Sequence, residues 1–132
     1  MRRLILLYQG DAMPWTYNQR TGALTAPDGQ VTATDGYSGA GQGRNNPAME
    51  RERNVGPIPR GNYRIGSARH SVRTGAVSMD LAPNVTTNTF GRSAFLIHGD
   101  NLTHTASHGC IILRRDVREQ INGSTDRELI VQ

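Results

Sequence analysis

Apolar residues in this chain come in short runs set between glycine- and proline-rich turns, and few stretches hold one period for long. Residues 3–9 form a short apolar run that reads as a strand. Trp15-Thr16-Tyr17-Asn18 then alternates, and residues 19–22 turn into Ala23-Leu24-Thr25, which predicts a hairpin. Asp28-Gly29 opens a further turn before a strand over residues 31–34. A rigid turn over residues 55–61, stiffened by Pro57 and Pro59, leads into alternating Asn62-Tyr63-Arg64-Ile65. Residues 77–81 read as another strand, stopped by Pro83. Two more apolar runs, 95–97 and 110–113, read as buried strands: the first ends at His98 and the second begins at Cys110. A helical turn is expected near residues 48–53, and a full helix over 114–122 with Gly123 as its C-terminal cap. Residues 128–131 close the pattern as a strand. The fold class is therefore mainly β with one short C-terminal α-helix. With no linker and no repeat, residues 1–132 are expected to form a single domain.

Composition sharpens this picture in three places. Fifteen glycines and six prolines favour strands and turns over a bundle. All fifteen cationic side chains are arginine, leaving a net charge of +4 and planar forks suited to carboxylates or phosphates. Without a basic run, and with 5% aromatic residues, that charge is a poor footprint for nucleic acid, and none is expected as a partner. The single cysteine excludes an internal disulfide. The start, Met1-Arg2-Arg3 before Leu4-Ile5-Leu6-Leu7, imitates a signal peptide, but the apolar run ends at Tyr8-Gln9-Gly10, short of the roughly 7–15 residues required. No run approaches the roughly 18 residues of a membrane span.

Candidate chemistry concentrates in residues 98–110, which hold the lone cysteine and three of the four histidines. A thiol is mostly protonated at neutral pH, so a nucleophilic cysteine needs an imidazole within reach and a group to orient that imidazole. Cys110 is the candidate nucleophile and His98 its base, because twelve residues are enough for the chain to loop out and return beside itself. Either the Gly99 carbonyl or the Asp100 carboxylate would orient the ring. The Ser107-His108-Gly109 turn supplies backbone N–H groups for an oxyanion hole, with His108 in a supporting or binding role. Two rivals are an inert buried cysteine and a zinc site of Asp100, His104, His108 and Cys110. The zinc set needs a helix that Thr103, Thr105, Ser107 and Gly109 disfavour, so no metal and no cofactor are expected. The glycine-rich residues 36–47 read as a long loop beside the site rather than a phosphate cradle, since no Gly-Lys-Ser/Thr follows.

The segment Ile97-His98-Gly99 with Ser107-His108-Gly109-Cys110-Ile111-Ile112-Leu113 resembles the signature of the YkuD-type L,D-transpeptidases, with a shorter interval between its halves. More of the chain is similar to a compact branch, the type VI secretion L,D-transpeptidase effectors. The matching pieces are Trp15-Thr16-Tyr17 with Thr21-Gly22-Ala23-Leu24; Gly36-Tyr37-Ser38-Gly39 through Arg44-Asn45-Asn46-Pro47; Val55-Gly56-Pro57-Ile58-Pro59-Arg60-Gly61; and Gly91-Arg92 with Phe95 to Asp100. This resemblance implies a YkuD-like domain and a cysteine enzyme cleaving the meso-diaminopimelate–D-Ala bond of peptidoglycan tetrapeptide stems, or exchanging the terminal D-amino acid. It implies Cys110 as nucleophile, His98 as base, the Gly99 carbonyl as orienting partner, and amides at Gly109 and Cys110 as the oxyanion hole. Tyr37, Arg44, Asn45, Arg92 and Asp100 are expected to hold the substrate, the arginines by pairing with stem carboxylates. It further implies delivery by a secretion apparatus without a signal peptide, action in the periplasm of target bacteria, and a cognate immunity protein in the producer. The alternatives are a household cell-wall L,D-transpeptidase and a non-catalytic, metal-stabilised wall-binding module.

Overall fold

The structure, a computed structural model, describes residues 13–132. The strand expected over residues 3–9 lies outside them. Ten strands and one helix follow in chain order: β1 (Trp15–Tyr17), β2 (Leu24–Thr25), β3 (Val31–Ala33), β4 (Tyr37–Ser38), β5 (Gly61–Ile65), β6 (Arg69–Ser71), β7 (Gly75–Pro83), β8 (Phe95–His98), β9 (Ile111–Ile112), α1 (Arg115–Asn122) and β10 (Glu128–Val131). The sheet runs β3-β2-β1-β10-β5-β7-β8-β9-β4, with β6 paired to β7 off this path. The mainly β class with one helix is what the short apolar runs predicted, and among the described residues no helix is long and apolar enough to cross a membrane.

Alternation explains which strands were legible. Trp15 and Tyr17 are buried on either side of half-exposed Thr16, and Tyr63 and Ile65 are buried between exposed neighbours. With Leu24, Met79, Leu81, Phe95, Ile97, Ile111 and Leu129 they form the core under the sheet. Helix α1 closes this core with Val117 and Ile121, on the i, i+4 spacing that puts both on one face. The helix starts one residue later than expected, and Gly123 caps it in right-handed geometry, with its N–H on the Glu119 and Ile121 carbonyls.

Three sequence expectations need correction. Pro83 does not stop its strand but ends it, paired opposite Tyr63, a place where a missing N–H costs little. The turn near residue 48 is a short 3₁₀ segment, Pro47–Met49, capped by the Asn46 side chain on the Ala48 N–H. The expected loop over residues 36–47 begins as strand β4, which pairs with β9 at the edge of the sheet.

Two parallel pairs set the topology: β1 beside β10 and β8 beside β9. Parallel neighbours require a crossover. Between β8 and β9 the crossover is the irregular segment 99–110, which carries the candidate chemistry.

Candidate active site

The β8–β9 ladder pairs Ile97 with Ile111 and His98 with Ile112. One step further back, Cys110 falls opposite Leu96. Side chains alternate along a strand, so Leu96, His98, Cys110 and Ile112 share one face of the sheet. His98 and Cys110 both line a cleft of about 860 Å³.

His98 is 4% exposed. Its Nδ1 lies 2.8 Å from the Gly99 carbonyl. A carbonyl only accepts, so Nδ1 carries the proton and Nε2 the lone pair. Of the two orienting groups considered, the backbone carbonyl holds the ring. The Asp100 carboxylate instead accepts from the Tyr37 hydroxyl at 2.5 Å and from His104 Nδ1 at 2.8 Å. Burial pushes the His98 pKa below its ordinary value, the Gly99 carbonyl opposes this, and the Arg118 charge adds to the lowering.

Arg118 reaches this point from α1. Its Nε donates to the Leu113 carbonyl at 3.0 Å and its Nη1 to the Ala76 carbonyl at 2.7 Å and that of Val77 at 3.3 Å. Val77 is a β-branched residue at φ 55, so this clamp falls on strained backbone within β7. The guanidinium lies directly beneath Gly99, where an added Cβ would meet Nη2 at 2.7 Å. A side chain at position 99 would therefore push the guanidinium off the carbonyls it clamps.

Cys110 is half-buried, and its thiol donates to the Ala94 carbonyl at 3.8 Å. Burial raises the thiol pKa above its ordinary value, against the lowering effect of the Leu96 N–H and of the Arg73 and Arg92 charges. Both shifts favour a resting pair of neutral thiol and neutral imidazole over a thiolate–imidazolium pair.

Ser107 is fully buried and builds the turn before the cysteine. Its hydroxyl donates to the Cys110 carbonyl at 2.6 Å and accepts the N–H groups of Gly39 at 2.8 Å and Gly109 at 3.1 Å. The Gly109 N–H is thus engaged, and no hydrogen bond among the described residues occupies the Cys110 N–H. Gly109 sits at φ 135, and a Cβ there would meet Arg92 Nη2 at 2.5 Å. His108 is exposed on the cleft wall.

The expected substrate-binding residues divide. Asp100 and Arg92 line the cleft, whereas Tyr37, Arg44 and Asn45 stand behind its wall. The Arg44 guanidinium stacks 3.7 Å over the Tyr37 ring and donates to the His104 carbonyl at 2.9 Å. The Tyr37 hydroxyl also accepts the Ala106 N–H at 3.0 Å, and Asn45 Oδ1 accepts the Ser38 N–H at 3.0 Å. Tyr37 and Arg44 thus brace segment 99–106 from behind, while Asn45 holds β4. Arg92 is buried, and its fork is spent on the carbonyls of Glu50, Gly56, Pro57 and His108.

Segment 99–110 is not helical, so Asp100, His104 and His108 share no helix face. Among the described residues no three His, Cys, Asp or Glu side chains converge where a metal ion would sit.

Sequence reasoning missed Arg118 and the cleft arginines Arg53, Arg69 and Arg73. Arg118 left one signal: it lies three residues before buried Ile121, an arginine inside the apolar stripe of its helix. The others left none, because a surface arginine and a cleft arginine look alike until strands bring them together.

No curated protein matches the sequence. In three dimensions the chain is similar to an L,D-transpeptidase from Mycobacterium tuberculosis H37Rv, with a TM-score of 0.53 and 18% sequence identity over 92% of this chain. It spans 57% of that chain, and the likeness is one of fold. The Tlde1 domain model matches residues 32–128, a stretch that carries β3 to the start of β10 and the whole cleft. With that match over most of its length, the chain belongs to the Tlde1 domain family, the type VI secretion L,D-transpeptidase effectors.

Proposed function

We propose that residues 1–132 form one catalytic domain of a peptidoglycan-acting effector, a cysteine L,D-carboxypeptidase and L,D-transpeptidase of tetrapeptide stems. One observation carries this reading: the parallel β8–β9 pair puts His98 and Cys110 on one face at a cleft, with the His98 proton held on Nδ1. An imidazole so fixed accepts a proton at Nε2 and at no other atom.

The reaction starts when substrate draws the thiol away from the Ala94 carbonyl. His98 Nε2 takes the thiol proton as Sγ attacks the carbonyl carbon at the L-centre of meso-diaminopimelate. The oxyanion accepts from the Cys110 N–H. Collapse breaks the C–N bond, the imidazolium returns its proton to the departing D-Ala amine, and a thioester remains on Cys110. Water, deprotonated by His98, then releases a tripeptide stem and restores the thiol. An amine in place of water gives a cross-link or an exchanged D-amino acid. Ser107 shapes the turn, Gly99 orients the base, and Arg92 positions the Cys turn without touching substrate.

A secretion apparatus would carry such an effector into the periplasm of target bacteria, and an immunity protein covering the cleft would protect the producer. The decisive experiment incubates the protein with disaccharide-tetrapeptide muropeptides and follows loss of D-Ala by mass spectrometry. Cys110→Ala is expected to abolish the loss, since a thioester cannot form, while the circular dichroism spectrum stays unchanged. Trimming by Cys110→Ala sinks the assignment. Directed to the periplasm, the wild type should be toxic and Cys110→Ala harmless; equal killing by both would mark a non-catalytic poison.

A further inference from the structure

Four arginines line the cleft: Arg53, Arg69, Arg73 and Arg92. Three are committed to the protein. Arg69 is held by both oxygens of Asp80, at 2.9 and 3.0 Å, so the two charges cancel. Arg92 is spent on backbone carbonyls, and Arg53 donates to the Gly91 carbonyl at 3.2 Å. The two cleft carboxylates are occupied as well, Asp80 by Arg69 and Asp100 by Tyr37 and His104. Among the described residues Arg73 is the cleft arginine whose guanidinium has no partner.

Its backbone, by contrast, is firmly held. Arg73 lies in the tight turn joining β6 to β7, and the Ser71 hydroxyl accepts the N–H groups of both Arg73 and Thr74 at 3.2 Å. The Thr74 and Ser78 hydroxyls meet at 2.7 Å, and Ser78 donates to the Gly75 carbonyl at 3.0 Å. A braced turn thus presents a free, planar, permanently charged fork at the cleft. It lines the same cleft as Cys110 and His98.

We propose that Arg73 is a carboxylate-binding residue that receives the free C-terminal carboxylate of the residue leaving the scissile bond, making a terminal carboxylate part of the substrate's identity. This rests on the acyl-transfer reading of the cleft. A bond next to a chain end differs from an internal one chiefly by that carboxylate, so a free fork in the nucleophile's cleft selects ends over interiors. Charge-assisted, bidentate pairing is the chemistry to which a guanidinium is best suited.

The test measures binding rather than turnover. Cys110→Ala is titrated, by calorimetry, with the stem tetrapeptide bearing a free terminal carboxylate and with the same peptide as its terminal amide. The acid is expected to bind about tenfold more tightly, with the preference falling as salt rises. Adding Arg73→Gln should bring the ratio close to one. Arg73→Lys, which keeps the charge but not the fork, should keep part of it. Arg20→Gln, on an exposed turn remote from the cleft, removes the same charge and should leave the ratio intact. Equal binding of acid and amide by the parent, or a preference that survives Arg73→Gln, overturns the proposal. Failure of the Cys110 enzyme to release D-Ala while the Arg73-dependent preference persists counts against acyl transfer alone.

Discussion

At the scale of single residues, the proposed reaction makes the imidazole and the thiol decide the pH at which the site works. Protonated His98 is no base, so kcat/KM should fall as pH drops through its pKa. Burial sets that pKa below the ordinary 6.5, so activity should hold down to about pH 6.5 and decline only beneath it. The thiol pKa is raised above its ordinary 9.0, so no thiolate-driven rise is expected between pH 7 and 9. A pH profile of kcat/KM checks both limbs. A bell bounded by an acidic thiol and a basic imidazole would instead mark a resting ion pair. These two residues were legible in the sequence because a lone cysteine twelve residues after a histidine, at the ends of two apolar runs, permits few other readings. Arg69, Arg73 and Arg118 were not: a fork bonded to carbonyls, one paired with a carboxylate and one left free are the same letter, and only the fold tells them apart.

At the scale of elements, helix α1 and strand β7 are coupled through Arg118. Removing it leaves the Leu113, Ala76 and Val77 carbonyls without their donor and takes a positive charge from beneath His98. Arg118→Met should therefore lower unfolding free energy by about 3 kcal/mol, read by urea denaturation. It should also move the acid limb of the pH profile to higher pH, because the lost charge had been lowering the His98 pKa. A purely structural role would leave that limb in place. Strands with alternation, such as β1 and β5, could be read from the chain, whereas β6 could not: Arg69-His70-Ser71 has no apolar face and is a strand because β7 offers it a ladder. Strand β4 was hidden in the same way, two residues inside a glycine-rich stretch whose pairing partner lies more than seventy positions away.

At the scale of the whole molecule, the order of strands in the sheet was the part that periodicity does not carry, since no pattern of polar and apolar residues names a strand's neighbour. Strand β10 lies between β1 and β5, joining the β1–β3 meander to the half that holds the cleft. Leu129 is fully buried there, opposite Trp15 on one side and Tyr63 on the other. Leu129→Ala should cost about 2–5 kcal/mol, measured by thermal denaturation, with KM unchanged for the molecules that remain folded. The position of β10 also has a kinetic meaning. Trp15 and Leu129 come from the two far ends of the described chain, so the sheet's middle can form only after the longest loop has closed, which puts this fold among the slow ones.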